Sequence, residues 1–184
     1  MSSLEWYQQG NWPLFGAVAV LVVTNAVALW KISAQAKATF LLETKLRTVE
    51  FIATQLSDFY NPLYALLLIN GRIFSQAGPR TFPEDPIRCD AAGQVWAELR
   101  EQVVLPNNRE IREILRSKTH LLAPGDSLPQ YMDLFTHISM YEVFQERPTE
   151  IYSRFTFPRD ILRHVEEVRE RLITELDSLR KAHK

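Results

Sequence analysis

The first pattern along the chain is a gap in charge. From Trp6 to Trp30 there is no Asp, Glu, Lys or Arg, and within it the segment WPLFGAVAVLVVTNAVALW, residues 12–30, has only Thr24 and Asn25 as polar positions. The 19 residues of that segment, at the helical rise, cover about 28 Å, close to the hydrocarbon thickness of a bilayer. Trp12 and Trp30 bracket the run and Lys31 follows it, where membrane-interface anchors sit. Pro13 suits a first helical turn, because its missing N–H has no partner to lose there. No positive residue precedes the run and no A-x-A cleavage site follows, so a retained transmembrane helix is expected rather than a cleaved leader.

Beyond the span the pattern becomes amphipathic. No Gly or Pro occurs from Lys31 to Asn61, and Leu42, Leu46, Val49, Ala53, Leu56, Tyr60 and Leu63 recur at alternating spacings of four and three. Such a stripe predicts one long helix facing a core or a neighbouring helix, a stalk running from the membrane into a folded domain. Asn61-Pro62 then either starts a new helix or kinks a continuing one. The apolar run from Phe59 to Ile69, flanked by Asp58 and Arg72, is too short to span and predicts a buried core helix. Its first residues, NPLY (61–64), also spell an endocytic sorting pattern, which would have to be exposed; the ALLLI that follows favours burial.

Residues 75–93, with three prolines and two glycines, predict a loop. Helices are expected over about 90–104, with Val95, Trp96, Leu99 and Val103 inward, and over about 108–119, capped by Asn107 or Asn108. A further helix is expected from Leu128 to about Gln145, with Tyr131, Leu134, Phe135, Ile138, Tyr141 and Val143 or Phe144 inward. After a loop at 146–157, the last one should start near Thr156-Phe157-Pro158, with Ile161, Val165, Val168, Leu172, Leu176 and Leu179 as its stripe. Its other face pairs Arg163 with Glu167, Glu167 with Arg171, Arg171 with Glu175 and Asp177 with Lys181. No stretch alternates as a strand does. The expected fold is all-α: a single transmembrane helix continuing into a cytoplasmic bundle of five or six helices.

Composition sharpens this picture only a little. In 184 residues, 46% are apolar and 23% charged with a net charge of −1, a globular balance that gives no case for nucleic-acid binding. The single cysteine, Cys89, excludes an internal disulfide. Charge matters more locally. Glu5 is the one charged side chain before the span, whereas Lys31, Lys37, Lys45 and Arg47 follow it against Glu43 and Glu50. The positive-inside rule then puts residues 1–11 outside, 12–30 across the membrane and 31–184 in the cytoplasm, of a bacterial inner membrane by its general look, with 31–60 as stalk and 61–184 as the rest of the bundle.

Candidate chemistry is sparse. GDSL (125–128) shares four letters with the nucleophile block of a class of lipases and esterases, but no strand precedes it and no Asp-x-x-His or Gly-x-Asn completes the set. The capping reading is better: Ser127 as N-cap, with Gln130 completing a capping box. Asp133, His137 and Tyr141 share one helix face, and His137 could meet His164 if their helices pack, which makes Asp133, His137 and His164 the one candidate metal or acid–base centre. Gly16, Ala19, Val23 and Ala26 form a small-residue face within the span, suited to self-association.

Three functions are compatible with this. The leading expectation is a non-enzymatic membrane protein, without a cofactor, whose partners are the bilayer and either another protein or a second copy of itself. A membrane effector or sensor, laid out as small bacterial defence effectors are, is the alternative: its cytoplasmic domain would sense a ligand and its assembled spans would perturb the membrane. An enzyme with a His137/His164 metal centre is the third.

Overall fold

The structure is a computed structural model that describes residues 12–146 and 150–181. The chain is all-α, with no strand among the described residues. It divides into two compact units, residues 1–48 and residues 49–184. The expected outer segment, residues 1–11, lies outside the described residues.

Helix α1, Trp12–Gln55, supplies the described part of the first unit. From Leu14 to Thr48 every described side chain is exposed. It is the one helix among the described residues that is long and apolar enough to cross a membrane. The two polar residues of the run bond within their own helix. The Thr24 hydroxyl donates to the Val20 carbonyl, and the Asn25 amide donates to Leu21 O at 2.8 Å. Such back-bonding supplies hydrogen bonds that a lipid environment cannot.

The expected stripe faces a core only from Val49 onward. Leu42 and Leu46 are both 48% exposed, whereas Ile52 and Leu56 are buried. Periodicity marks which side of a helix is apolar but not where along it a neighbour begins to cover that side.

Proline does not break the helix at Pro62, nor at Pro106. A π-helical turn, Leu56–Tyr60, joins α1 to α2, Asn61–Ala77. The Asn61 N–H reaches back to Leu56 O, five residues earlier, and Asn61 stays in the right-handed helical region. A second π turn, Arg100–Val104, joins α3, Pro86–Leu99, to α4, Leu105–Ser117. Each turn ends two residues before a proline, Pro62 or Pro106. A proline ring collides with the carbonyl four residues back in a regular helix, and a wider turn makes room for it. Asn107 and Asn108 are therefore not caps. The described helices run as four rods instead of the five or six bundle helices expected, completed by α5, Leu128–Glu146, and α6, Ile161–Lys181.

Helix α3 begins earlier than expected. Asp85 accepts a bond from Arg88 N at 2.9 Å and Pro86 occupies the first turn, a strong N-terminal signature that lay within the expected 75–93 loop. Trp96 is buried, but Val95 is 55% exposed and so does not point inward.

The core of the second unit forms on α2. Leu63, Leu66 and Leu67 are buried, as a core helix requires, among Ile111 and Leu115 of α4, Leu134 and Ile138 of α5, and Val165 and Leu172 of α6. The sorting motif is tied down as well. The Tyr64 hydroxyl donates to Glu166 Oε1 at 2.8 Å, and Arg169 Nε donates to Asn61 Oδ1 at 2.8 Å. Of the expected ion pairs on α6, Arg163–Glu167 forms at 3.9 Å, while Arg171 turns to the Pro124 carbonyl at 3.5 Å.

Candidate functional site

Two arrangements in the second unit concentrate its polar chemistry. The first grows from the turn Ala123-Pro124-Gly125-Asp126. Proline and then a glycine with φ of 78° make a type II turn, closed by Asp126 N–H to Ala123 O at 3.0 Å. This turn sets Asp126 inside the domain with its side chain 0% exposed. Its carboxylate collects four donors. Oδ2 accepts from the Tyr60 hydroxyl at 2.5 Å and the Tyr131 hydroxyl at 2.8 Å. Oδ1 accepts from Ser127 N at 2.6 Å and His164 Nε2 at 2.5 Å. All four lone-pair positions are filled.

The Tyr60 hydroxyl also accepts from Ala123 N–H at 2.8 Å, so one phenol holds both ends of the turn. Beside it the buried Gln55 amide donates to Leu121 O at 3.0 Å. Burial by itself would raise the Asp126 pKa, but the bonds from Tyr60, His164, Tyr131 and Ser127 outweigh it and hold the carboxyl below its ordinary value. Burial, reinforced by that negative charge, drives both phenols well above theirs. The carboxylate is thus ionised and the phenols neutral across the physiological range. Chemically this is a clasp, because every acceptor position is spent on the protein itself.

The clasp explains why the expected capping box does not form. Gln130 would have to receive the Ser127 N–H, but Asp126 already takes it, and Gln130 Oε1 is buried without a hydrogen-bond partner. Gln130 N–H bonds the Ser127 carbonyl at 3.2 Å instead.

The second arrangement is a cavity of about 310 Å³ among α2, α4 and α5. Leu67 and Phe74 of α2, Ile111 of α4 and Ile138 of α5 make its apolar walls, with Phe157 at one side. Its polar side is built from asparagines. Asn70, buried on α2, donates to Asn108 Oδ1 at 2.9 Å and accepts from Asn107 Nδ2 at 2.9 Å. Helical continuity through Pro106 is what delivers both α4 asparagines to Asn70. His137 and Tyr141 complete the lining. His137 Nδ1 lies 2.8 Å from Phe155 O, a carbonyl that can only accept, so Nδ1 carries the proton. Burial lowers the His137 pKa, against a smaller opposing effect of that bond, so the ring is neutral near pH 7.

The sequence candidates are distributed as follows. His137 lines this cavity and also, with Asp133, a neighbouring cleft of about 290 Å³. His164 belongs to the Asp126 clasp. Among the described residues no group of three or more His, Cys, Asp or Glu side chains is placed to hold a metal ion. Gly16, Ala19, Val23 and Ala26 are exposed on α1, as are Trp30, at 70%, and Lys31, while Trp12 opens that helix. Sequence reasoning missed Tyr60, Asp126 and Tyr131 as a group, and Asn70 with Asn107 and Asn108. The turn APGD was the one local signal; no spacing links its aspartate to Tyr60 or His164.

Comparison with protein-family models, with curated proteins and with solved structures found no match.

Proposed function

We propose that the chain is a non-enzymatic single-span membrane protein. Residues 12–30 cross the bilayer with the N-terminus outside, and residues 31–184 form a cytoplasmic helical domain that binds a protein partner or a second copy of itself. The observation that carries this reading is the exposure of α1. Phe15, Val20, Leu21 and Val23 are each more than 60% exposed on a helix with no charge through its apolar run, a surface that water disfavours and lipid accepts. The excess of Lys and Arg after the span supports the orientation. The face of Gly16, Ala19, Val23 and Ala26 supports contact between spans by close packing. Thr24 and Asn25 add less to that contact than their polarity suggests, since both bond within the helix.

Cys89, partly exposed on α3, tests the topology. It should resist a membrane-impermeant maleimide in intact cells and react once the cells are lysed and the protein unfolded. Labelling in intact cells would place the domain outside and overturn the orientation. Native mass spectrometry of protein extracted gently from membranes then separates a self-assembly from a hetero-complex.

A further inference from the structure

The cavity among α2, α4 and α5 has features that packing alone does not require. Gly71 lies on its wall in the interior of α2, and a Cβ there would meet no atom within 4 Å. Glycine inside a helix is destabilising relative to alanine. Gly71 itself is exposed, so the missing side chain leaves open space at the mouth of the cavity. The walls are rich in rings: Phe74 and Tyr141 lie with centroids 6.5 Å apart, and His137 and Phe157 meet edge to face at 5.3 Å. Phe74 and Phe157 are still 41% and 44% exposed, so the apolar lining continues to the mouth.

Among the described residues no Asp, Glu, Lys or Arg lines the cavity and His137 is neutral, and the Arg100 charge that reaches Tyr141 lies outside the lining, so a charged guest would lose its hydration without a direct counter-charge. The Asn108 amide keeps its donors. The Asn70–Asn108 bond uses the Asn108 carbonyl and leaves its N–H₂ available to an acceptor on a guest. The size falls at the small end of ligand sites.

We propose that this cavity binds a small, uncharged aromatic molecule carrying a hydrogen-bond acceptor, with its ring against Phe74 and Tyr141 beside Gly71 and its acceptor toward Asn108. This does not depend on the membrane topology or on a protein partner. It would make the helical domain responsive to a metabolite-sized ligand.

The test uses full-length protein in lipid nanodiscs and saturation-transfer NMR with three probes. Benzamide and nicotinamide are neutral with an acceptor; benzoate has the same shape as benzamide but carries a charge. Saturable binding of benzamide or nicotinamide is expected, with Kd about 1–10 mM for molecules of this size. Benzoate should bind at least about tenfold more weakly, given the desolvation of its charge. Gly71→Leu, which fills the space, should abolish the signal. Asn108→Asp, which keeps the acceptor for Asn70 but removes the donor, should weaken benzamide about tenfold. Thermal unfolding of both variants confirms that they fold, and if Gly71→Leu does not, Asn108→Asp decides. Absence of saturable binding by both neutral probes, equal binding of benzoate, or benzamide binding unchanged in the folded variants would each overturn the proposal.

Discussion

Leu42 and Leu63 belong to the same apolar stripe, three heptads apart, yet one is 48% exposed and the other fully buried. The comparison separates two uses of apolar surface. In the first unit, the described side chains of residues 14–48 present it outward. In the second, α2 is enclosed by α4, α5 and α6, and the apolar surface forms a close-packed core. The same side-chain chemistry therefore contributes to folding in one unit and is left for a surrounding medium or partner in the other. Polar groups follow the same division. Thr24 and Asn25 bond locally within one helix, whereas Asp126 draws its donors from residues as distant in sequence as Tyr60 and His164.

The largest effect should come from that clasp. Asp126→Ala leaves two buried phenols and His164 without their acceptor, and should destabilise the second unit by about 3–5 kcal/mol in denaturant unfolding. A change below about 1 kcal/mol would mean that the clasp is not formed. Leu63→Ala should cost about 2–5 kcal/mol by the same measurement, whereas Leu42→Ala should stay within about 0.5 kcal/mol. Equal effects of the two would show that Leu42 is covered in the folded protein.

The proposed span answers to a different assay. Val22→Arg should disfavour membrane insertion by about 2.5–3.5 kcal/mol, read as loss from the carbonate-washed membrane fraction, without moving the unfolding midpoint of the second unit. Retention in the membrane together with a shifted midpoint would reverse the roles assigned to the two regions.

Two groups of the second unit set an expected pH dependence. His137 is held below its ordinary value of 6.5 mainly by burial, so the unfolded chain binds more protons below that pH and stability should begin to fall as pH drops through 6.5. Asp126 is held below 3.8, so its contribution is complete above that pH and is lost as pH falls further. Acid unfolding should therefore steepen twice. His137→Phe should remove the first slope and Asp126→Asn should weaken the second, to which Glu142, held below its ordinary value by Arg109 and Arg112, also contributes; curves unchanged in both variants would contradict these assignments.

The smallest effect should come from Gly71. Gly71→Ala finds open space on a helix wall and should stabilise the domain by about 0.5–1 kcal/mol, seen as a small rise in thermal midpoint. A fall instead would mean that the backbone there approaches something the cavity does not account for.

Much of the architecture could be read from the chain. Uncharged residues in a run long enough to span a bilayer mark α1, and the 3.6-residue period of Ile161, Val165, Val168, Leu172 and Leu176 marks α6 and its buried face. The length of the Phe59–Ile69 run placed a core helix there, and α2 fulfils it. These properties are legible because each depends on neighbours within one or two turns. What the tertiary structure decided has the opposite character. Whether Pro62 and Pro106 end a helix or pass through a π turn depends on what packs around them. Asn107 and Asn108 look like caps until the continuing helix carries them to Asn70. His164, which could have met His137 had their helices packed that way, bonds Asp126, because a buried carboxylate draws in donors within reach, and which donors those are follows from the fold.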